Sequence, residues 1–296
     1  MAPVKVMIAG ATGAIGRRLV PLLIEAGHQV TGTTRSDAGL EQLRAAGAHG
    51  VRLDVYDAAA VKAAVAAAAP DVIMHQLTDL SSGAPGGNGR IRRIGTRNLV
   101  DAARQAAVPK MVAQSIAWVY EAGAGPAVET TPLDESAPDP RGATVAAIRA
   151  LEDGAAELPE YVVLRYGLLY GPGTWLRRGG LADDVLRSDR PTEHPGAAFF
   201  GGLIQGDGVF SFLHVDDAAR AAVDALSWPS RAVNVVDDEP APTREWLPVF
   251  AASVGAPTPA LAPGRRPWER GADNALARSL GWTPLHPSWR TGFSLA

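Results

Sequence analysis

The first stretch of the chain limits its fold more than any other. Val4-Lys5-Val6-Met7-Ile8-Ala9 is an apolar run of strand character that breaks at Gly10. Gly10, Gly13 and Gly16 then fall at G-x-x-G-x-x-G spacing, and residues 15–26 read as a helix. A strand feeding a glycine-rich turn and a helix N-terminus makes an anion site, because backbone N–H groups point outward and the helix dipole favours a phosphate. In this reading Gly10 permits the tight turn, Gly13 lets a pyrophosphate approach the backbone, and Gly16 lets the helix lie close on the strand. Glycine is unfavourable near a helix start without such a reason. The plain alternative is a strand-to-helix loop that happens to be rich in glycine.

The next hundred residues repeat the strand–helix alternation. Strands are expected at 29–34, 51–53, 72–76 and 110–114, with helices at 38–46, 57–68 and 91–106 between them. Such alternation implies a parallel, doubly wound sheet. Pro21 inside the first helix removes one backbone donor, so a local kink is expected there. Ser36 or Asp37 can cap the helix at 38–46. Residues 81–90, rich in Gly, Ser and Pro, read as a mobile loop and a candidate substrate lid. A helix at 144–157 and a strand at 161–165 close the regular part. Beyond it, residues 175–200 read as part of a separate lobe, a helix runs to 226 after Asp216-Asp217, and a strand at 232–236 precedes helices at 244–254 and 273–280. The domain reading is therefore 1–168, with 209–236 returning to it, and a lobe made of 169–208 and 237–296.

Composition narrows the chemistry. With a net charge of −3 there is no electrostatic case for nucleic acid or an anionic membrane. The absence of cysteine removes disulfides, thiol catalysis and thiolate metal sites, and the six histidines lack metal-ligand spacing, so no metal is expected. No hydrophobic leader or spanning segment is read, which predicts a soluble, cytoplasmic protein.

Several short pieces, in order, resemble the extended short-chain dehydrogenase/reductases: the glycine loop, Asp54-Val55, Gly95-Thr96-Arg97-Asn98-Leu99, Leu164-Arg165-Tyr166-Gly167, Tyr170-Gly171-Pro172-Gly173, Phe212–His214 with Val215-Asp216-Asp217, Asn234-Val235 and Leu280-Gly281-Trp282. The resemblance covers nearly the whole chain. It implies an α/β, Rossmann-type doubly wound parallel sheet carrying NAD or NADP, with a smaller C-terminal substrate lobe. By that resemblance Thr12, Ala14 and Ile15 join the glycines at the pyrophosphate and Asp54 and Val55 frame the adenine. Gln76, Leu77 and Thr78 line the ribose and nicotinamide path, and Tyr166 to Leu168 hold the nicotinamide end. The choice of cofactor rests on the end of the second strand, Thr33-Thr34-Arg35-Ser36. An NAD site presents a carboxylate there, whereas a guanidinium suits the 2′-phosphate of NADPH/NADP+. Asp37 is close by and fits better as a helix cap.

The family's acid–base residues are missing. Aligned on Glu152, the family tyrosine and lysine positions become Thr144 and Ile148. Aligned on Val119-Tyr120, the serine position becomes Ile116, with Ser115 before it, and a family asparagine becomes Arg92. No Tyr-x-x-x-Lys occurs in the chain. Hydride transfer needs only a positioned nicotinamide and an electrophilic carbon. Thr144 and Ser115 are the candidate hydrogen-bond donors to a developing oxyanion, with Tyr170 and His214 as lesser alternatives. Ser115, Ile116, Trp118 and Tyr120 are the candidate substrate contacts. The pattern resembles atypical ketoreductases of antibiotic pathways, and implies an NADPH-dependent ketoreductase of a small aromatic substrate, monomeric or homodimeric. A catalytically silent NADP(H)-binding redox sensor is the alternative.

Overall fold

The computed structural model describes residues 2–79, 86–188, 190, 194 and 206–295. The alternation becomes β1 (Lys5–Ala9), α1 (Gly16–Glu25), β2 (Gln29–Thr34), α2 (Asp37–Ala45), β3 (His49–Arg52), α3 (Ala58–Ala68) and β4 (Val72–His75). After it come α4 (Gly87–Arg90), a π-helical turn (Ile91–Gly95), α5 (Thr96–Gln105), β5 (Lys110–Ile116), α6 (Arg141–Ala155) and β6 (Glu160–Tyr166). The chain continues through β7 (Leu168–Tyr170), α7 (Leu181–Arg187), β8 (Val209–Phe210), β9 (Phe212–His214), α8 (Val215–Asp224) and β10 (Arg231–Val235). It ends with β11 (Ala241–Pro242), α9 (Thr243–Val254), α10 (Ala275–Ser279) and α11 (Trp289–Gly292).

Seven strands form one parallel sheet in the order β3-β2-β1-β4-β5-β6-β10. Strand order reverses between β1 and β4, where Ile8 pairs with Gly32 on one side and Met74 on the other. Ligands of such sheets bind beyond the carboxyl ends of the strands at this switch point. The period-2 alternation explains the core on one face. Met7, Ala9, Ile73, Met111 and Ala113 pack with Val61 and Val65 of α3, Leu99 of α5 and Leu151 of α6.

Two compact units emerge, one made of 1–115, 135–164 and 219–233, the other of 116–134, 165–218 and 234–296. This differs from the sequence division, which left 116–134 and 209–218 with the dinucleotide domain. The physical reason is pairing inside the second unit. The 116–134 segment bridges Ala127 to Ala272, and Arg270 donates to the carbonyls of Glu121, Ala122 and Gly125. β9 pairs in parallel with β7. That unit is held by aromatic packing, with Phe212 edge-on to Trp246 at 5.1 Å and to Phe293 at 5.6 Å. Trp282 and Trp289 are buried, as their packing role requires.

Other expectations change in detail. α1 continues through Pro21 as a single helix. The cap of α2 is Ser36, whose Oγ accepts from the Gly39 N–H at 3.1 Å, while Asp37 is ion-paired with Arg52 at 2.8 Å. The expected helix at 91–106 begins earlier and carries the π-helical turn. Of the candidate lid, residues 81–85 lie outside the described residues, and Gly87–Arg90 is α4. Much of 189–205 also lies outside them.

Candidate functional site

In the first unit, the loop after β1 has two glycines that the protein itself demands. Gly10 has φ +96°, and a Cβ there would meet the Gln76 carbonyl oxygen at 2.6 Å. A Cβ on Gly16 would meet the Gly10 oxygen at 2.3 Å. Gly13 is different. It is exposed, and the nearest atom to an added Cβ is the Gly10 oxygen at 3.4 Å, an ordinary contact. Nothing in the protein requires glycine at 13. The loop is braced by the Gly13 N–H on the Gly10 oxygen at 3.1 Å and by Arg17 Nε on the Thr12 oxygen at 2.8 Å. Thr12 donates to Thr34 at the end of β2 at 3.4 Å, Ala14 is half-buried and Ile15 buried.

Around this loop the remaining cofactor candidates of the first unit sit at strand ends. Arg35 is exposed and has no hydrogen bond or ion pair among the described residues. Asp54 accepts from the Tyr56 N–H at 3.0 Å, and the Val55 carbonyl accepts from Asn98 at 2.8 Å. The Arg90 guanidinium lies 3.9 Å from the Tyr56 ring centroid, and both Arg90 and Arg35 act on that phenol electrostatically. The Tyr56–Arg90 stack was not read from the sequence; an aromatic next to Asp54-Val55 was its only signal. Gln76 extends the β1–β4 pairing by donating its N–H to Ala9 at 2.8 Å. The residue is 5% exposed, yet neither side-chain amide atom has a partner among the described residues. Leu77 is half-buried and Thr78 exposed. A buried amide without partners costs stability unless something hydrogen-bonds it. Gly13, Gln76 and Arg35 together therefore fit a bound dinucleotide, with Arg35 available to a phosphate.

The acid–base region of the same unit is otherwise. Ser115, 1% exposed, donates to the Glu152 carboxylate at 2.7 Å, so its hydroxyl is committed to a buried pair. This corrects the reading of Ser115 as an available donor. Thr144 and Ile148 lie one turn apart on α6. Thr144 is exposed, with Oγ1 on the Pro140 carbonyl at 3.3 Å, and Ile148 is fully buried. Neither can ionise near neutral pH. His75 at the end of β4 is buried, with Nε2 2.9 Å from Thr96 Oγ1. Burial, and then the charge of Arg92, push its pKa down to about 4, so it is a neutral structural group at pH 7.

In the second unit, Ile116 and Tyr120 are buried. The Tyr120 hydroxyl donates to Asn234 and accepts from Arg165 Nη1 at 3.0 Å, which makes it a packing anchor. Trp118 and the Tyr120 ring line a small depression with Phe210, Ser211 and Trp268. Tyr166 is buried, its hydroxyl on the Ala218 carbonyl at 3.1 Å, and Leu168 is half-buried. Tyr170 is corrected as a donor: burial, then the charges of Asp237 and Asp217, push its pKa far up. His214 is buried, its Nδ1 accepting from the Asp216 N–H at 3.2 Å and its ring 3.9 Å from that of His286. These two histidines and Asp216 bring ligand atoms within 4.8 Å of one another, a proximity the sequence spacing hid. Asp217 is more than a helix start. Its carboxylate accepts from the Leu285 and His286 N–H groups at 2.6 and 2.9 Å.

Comparison with known proteins gives the family. Residues 6–236 match the profile of the NAD dependent epimerase/dehydratase family. A Streptomyces sp. protein named 3-diazoavenalumate denitrifying reductase is 45% identical over 97% of this chain and 98% of its own. A 2-alkyl-3-oxoalkanoate reductase of Stenotrophomonas maltophilia is 29% identical over 86% of this chain and 76% of its own. Among solved structures, Thermus thermophilus UDP-glucose 4-epimerase in complex with NAD is 26% identical with a TM-score of 0.68, covering 98% of this chain and 96% of that one.

Proposed function

As a member of the NAD dependent epimerase/dehydratase family the chain is a nicotinamide-dependent oxidoreductase, and we propose that it uses NADPH to reduce an aromatic secondary metabolite that is already electrophilic. The observation that carries this reading is the contrast inside one unit. Gly10 and Gly16 are packed against backbone that leaves no room for a Cβ, while Thr144 and Ile148, the positions the resemblance gives to the acid–base pair, cannot ionise near neutral pH and Ser115 is tied to Glu152. When bound, the cofactor supplies a hydride. Gly10, Thr12, Gly13, Ala14, Ile15 and Gly16 hold its pyrophosphate. Arg35 and Ser36 face the 2′-phosphate, Asp54 and Val55 the adenine. Gln76, Leu77, Thr78, Tyr166 and Leu168 serve the ribose and nicotinamide end. Of the expected substrate contacts, half-buried Trp118 offers apolar surface to a flat substrate, whereas Ile116 and Tyr120 are buried.

The first substrate reading is a ketone of an aromatic polyketide in antibiotic biosynthesis, reduced to a secondary alcohol, as in the angucyclinone ketoreductase of simocyclinone biosynthesis that the chain resembles. A phenol beside the carbonyl polarises it internally, and water supplies the proton afterwards. A second reading is favoured by the name of the 45% identical relative, which is that of a diazo reductase. Hydride added to an aryl diazonium gives the arene and dinitrogen, and leaves oxidised cofactor; the C–N bond breaks, and no proton is needed. That stoichiometry suits a site without an acid. Both relatives' names specify carboxylate substrates. The reading describes a cytoplasmic monomer or homodimer with a small-molecule partner. Among the described residues no helix is long and apolar enough to cross a membrane.

The test is to mix the protein with NADPH and a panel of ortho-hydroxyaryl ketones and 3-diazoavenalumate, and to follow absorbance of the reduced nicotinamide. Oxidation with one class selects the substrate reading. Tight NADPH binding with no oxidation across the panel would point instead to the silent redox sensor.

A further inference from the structure

The π-helical turn Ile91–Gly95 is where the chain departs from a regular helix, and such turns gather at functional sites. Arg92 lies in it, one turn before Thr96. Thr96 Oγ1 is 2.9 Å from Nε2 of His75, the last residue of β4. The helix crosses over between the parallel strands β4 and β5, so it runs antiparallel to them. A residue one turn N-terminal to Thr96 therefore lies beyond the carboxyl edge of the sheet, on the side where ligands bind.

The surroundings of Arg92 are unusual for an arginine. Its side chain is half-buried, and it has no hydrogen bond or ion pair among the described residues. Burial brings its pKa down to about 10, with no carboxylate among the described residues opposing the shift. It stays charged at neutral pH, and its charge is felt by His75. A withdrawn, unpaired cation is costly to fold, by several kcal/mol in general. A partner that arrives with a ligand offsets that cost. Guanidinium groups pair with carboxylates through two parallel, charge-assisted hydrogen bonds and with the single oxygen of a phenolate through a charge-assisted bond. Such a group does not donate its proton at neutral pH, which suits a site that binds an anion rather than one that supplies an acid.

We infer that Arg92 binds an anionic oxygen of the substrate, the carboxylate or phenolate of an aromatic acid, at the carboxyl edge of β4. Its identification as a substrate contact rests on the reductase reading above; the anion site itself does not.

The experiment uses the full chain saturated with NADP+, with 1-naphthoate and its uncharged isostere 1-naphthamide as probes, titrated by calorimetry. The wild type is expected to bind 1-naphthoate about tenfold or more tightly than 1-naphthamide, the range for a charge-assisted pair. Arg92→Met is expected to erase that preference and Arg92→Lys to keep part of it, with NADP+ affinity within about twofold of wild type in both. Three results would overturn the inference: no preference in the wild type, including no binding of either probe; a preference that survives in Arg92→Met; or NADP+ affinity lost together with it. Thermal unfolding of both variants checks that they are folded, and Arg92→Lys carries the comparison if Arg92→Met is not. If the reductase reading alone is wrong, NADPH stays unoxidised by every panel substrate while the Arg92-dependent preference persists.

Discussion

The loop after β1 and the pairing of β5 with α6 sit in the same unit and have opposite relations to their neighbours. In the loop, backbone geometry sets the demand: Gly10 and Gly16 have carbonyl oxygens within 2.6 Å of where a Cβ would stand, whereas at Gly13 the nearest atom is an ordinary 3.4 Å away. Around β5 and α6, the demand has shifted from chemistry to packing: Ser115 is spent on Glu152, and Ile148 is fully buried. A cofactor site depends on where the main chain runs, so it survives the loss of individual side chains. An acid–base site depends on a few ionisable groups, and is lost with them. On the proposed reading, the chain keeps the half of the reaction that the cofactor performs and leaves any proton to be supplied from outside the protein.

Substitutions in the loop sharpen that contrast most. Gly16→Ala places a Cβ 2.3 Å from the Gly10 oxygen, and is expected to destabilise the fold by about 3 kcal/mol or more, read by thermal unfolding. Gly13→Ala is expected to leave unfolding within about 0.5 kcal/mol of wild type, because its Cβ meets nothing closer than 3.4 Å. The same variant is expected to weaken NADPH binding about 10- to 100-fold, since the phosphate can no longer approach the backbone N–H groups. Equal losses of fold and binding in both variants would break the distinction between the two kinds of glycine.

Next in size is Arg35→Ala. It is expected to weaken NADPH binding about tenfold while leaving NADH binding unchanged, both by calorimetry. Unchanged NADPH affinity would return Arg35 to the surface and leave the cofactor as NAD.

Acid should act on the altered end through His75. Its folded pKa of about 4 lies below the ordinary 6.5, so the unfolded chain binds the proton more readily between those values. The contribution is intact above about pH 6.5 and is lost as pH falls toward 4, at no more than about 1.4 kcal/mol per pH unit. Unfolding measured from pH 7 to 4.5 should show that slope, and His75→Gln should flatten it.

The smallest effects fall on the former acid–base positions. Thr144→Val is expected to slow turnover less than about tenfold, against the ~10²–10⁴ of a lost general acid. Ser115→Ala is expected to cost about 1–3 kcal/mol of stability by removing a buried, charge-assisted hydrogen bond to Glu152, with little change in turnover per folded molecule.

What the sequence made legible follows from the same contrast. The strand–glycine–helix unit and the alternation of strands and helices along the chain were readable because period-2 and helical patterning and glycine spacing are local. The missing tyrosine and lysine were readable as absences. The π-helical turn was not, because an inserted residue in a helix leaves no mark in composition and only shifts the phase of a pattern. The Ser115–Glu152 bond joins residues 37 apart, and the Asp217 carboxylate holds a segment 68 residues on. Such long-range pairs leave Ser115 and Asp217 looking like an active-site donor and a helix start. Arg92 was visible only as a substitution; its withdrawal from water and lack of a partner appear only in the fold.

The account stands most directly on the source of the proton. The decisive measurement is the rate of NADPH oxidation with a reactive panel substrate from pH 6 to 9, for wild type and Thr144→Val. The account predicts two profiles that superimpose, and that are flat when the substrate is saturating, because no ionising residue of the protein supplies the proton. A profile that falls with a single ionisation in the wild type and loses that ionisation in Thr144→Val would contradict it.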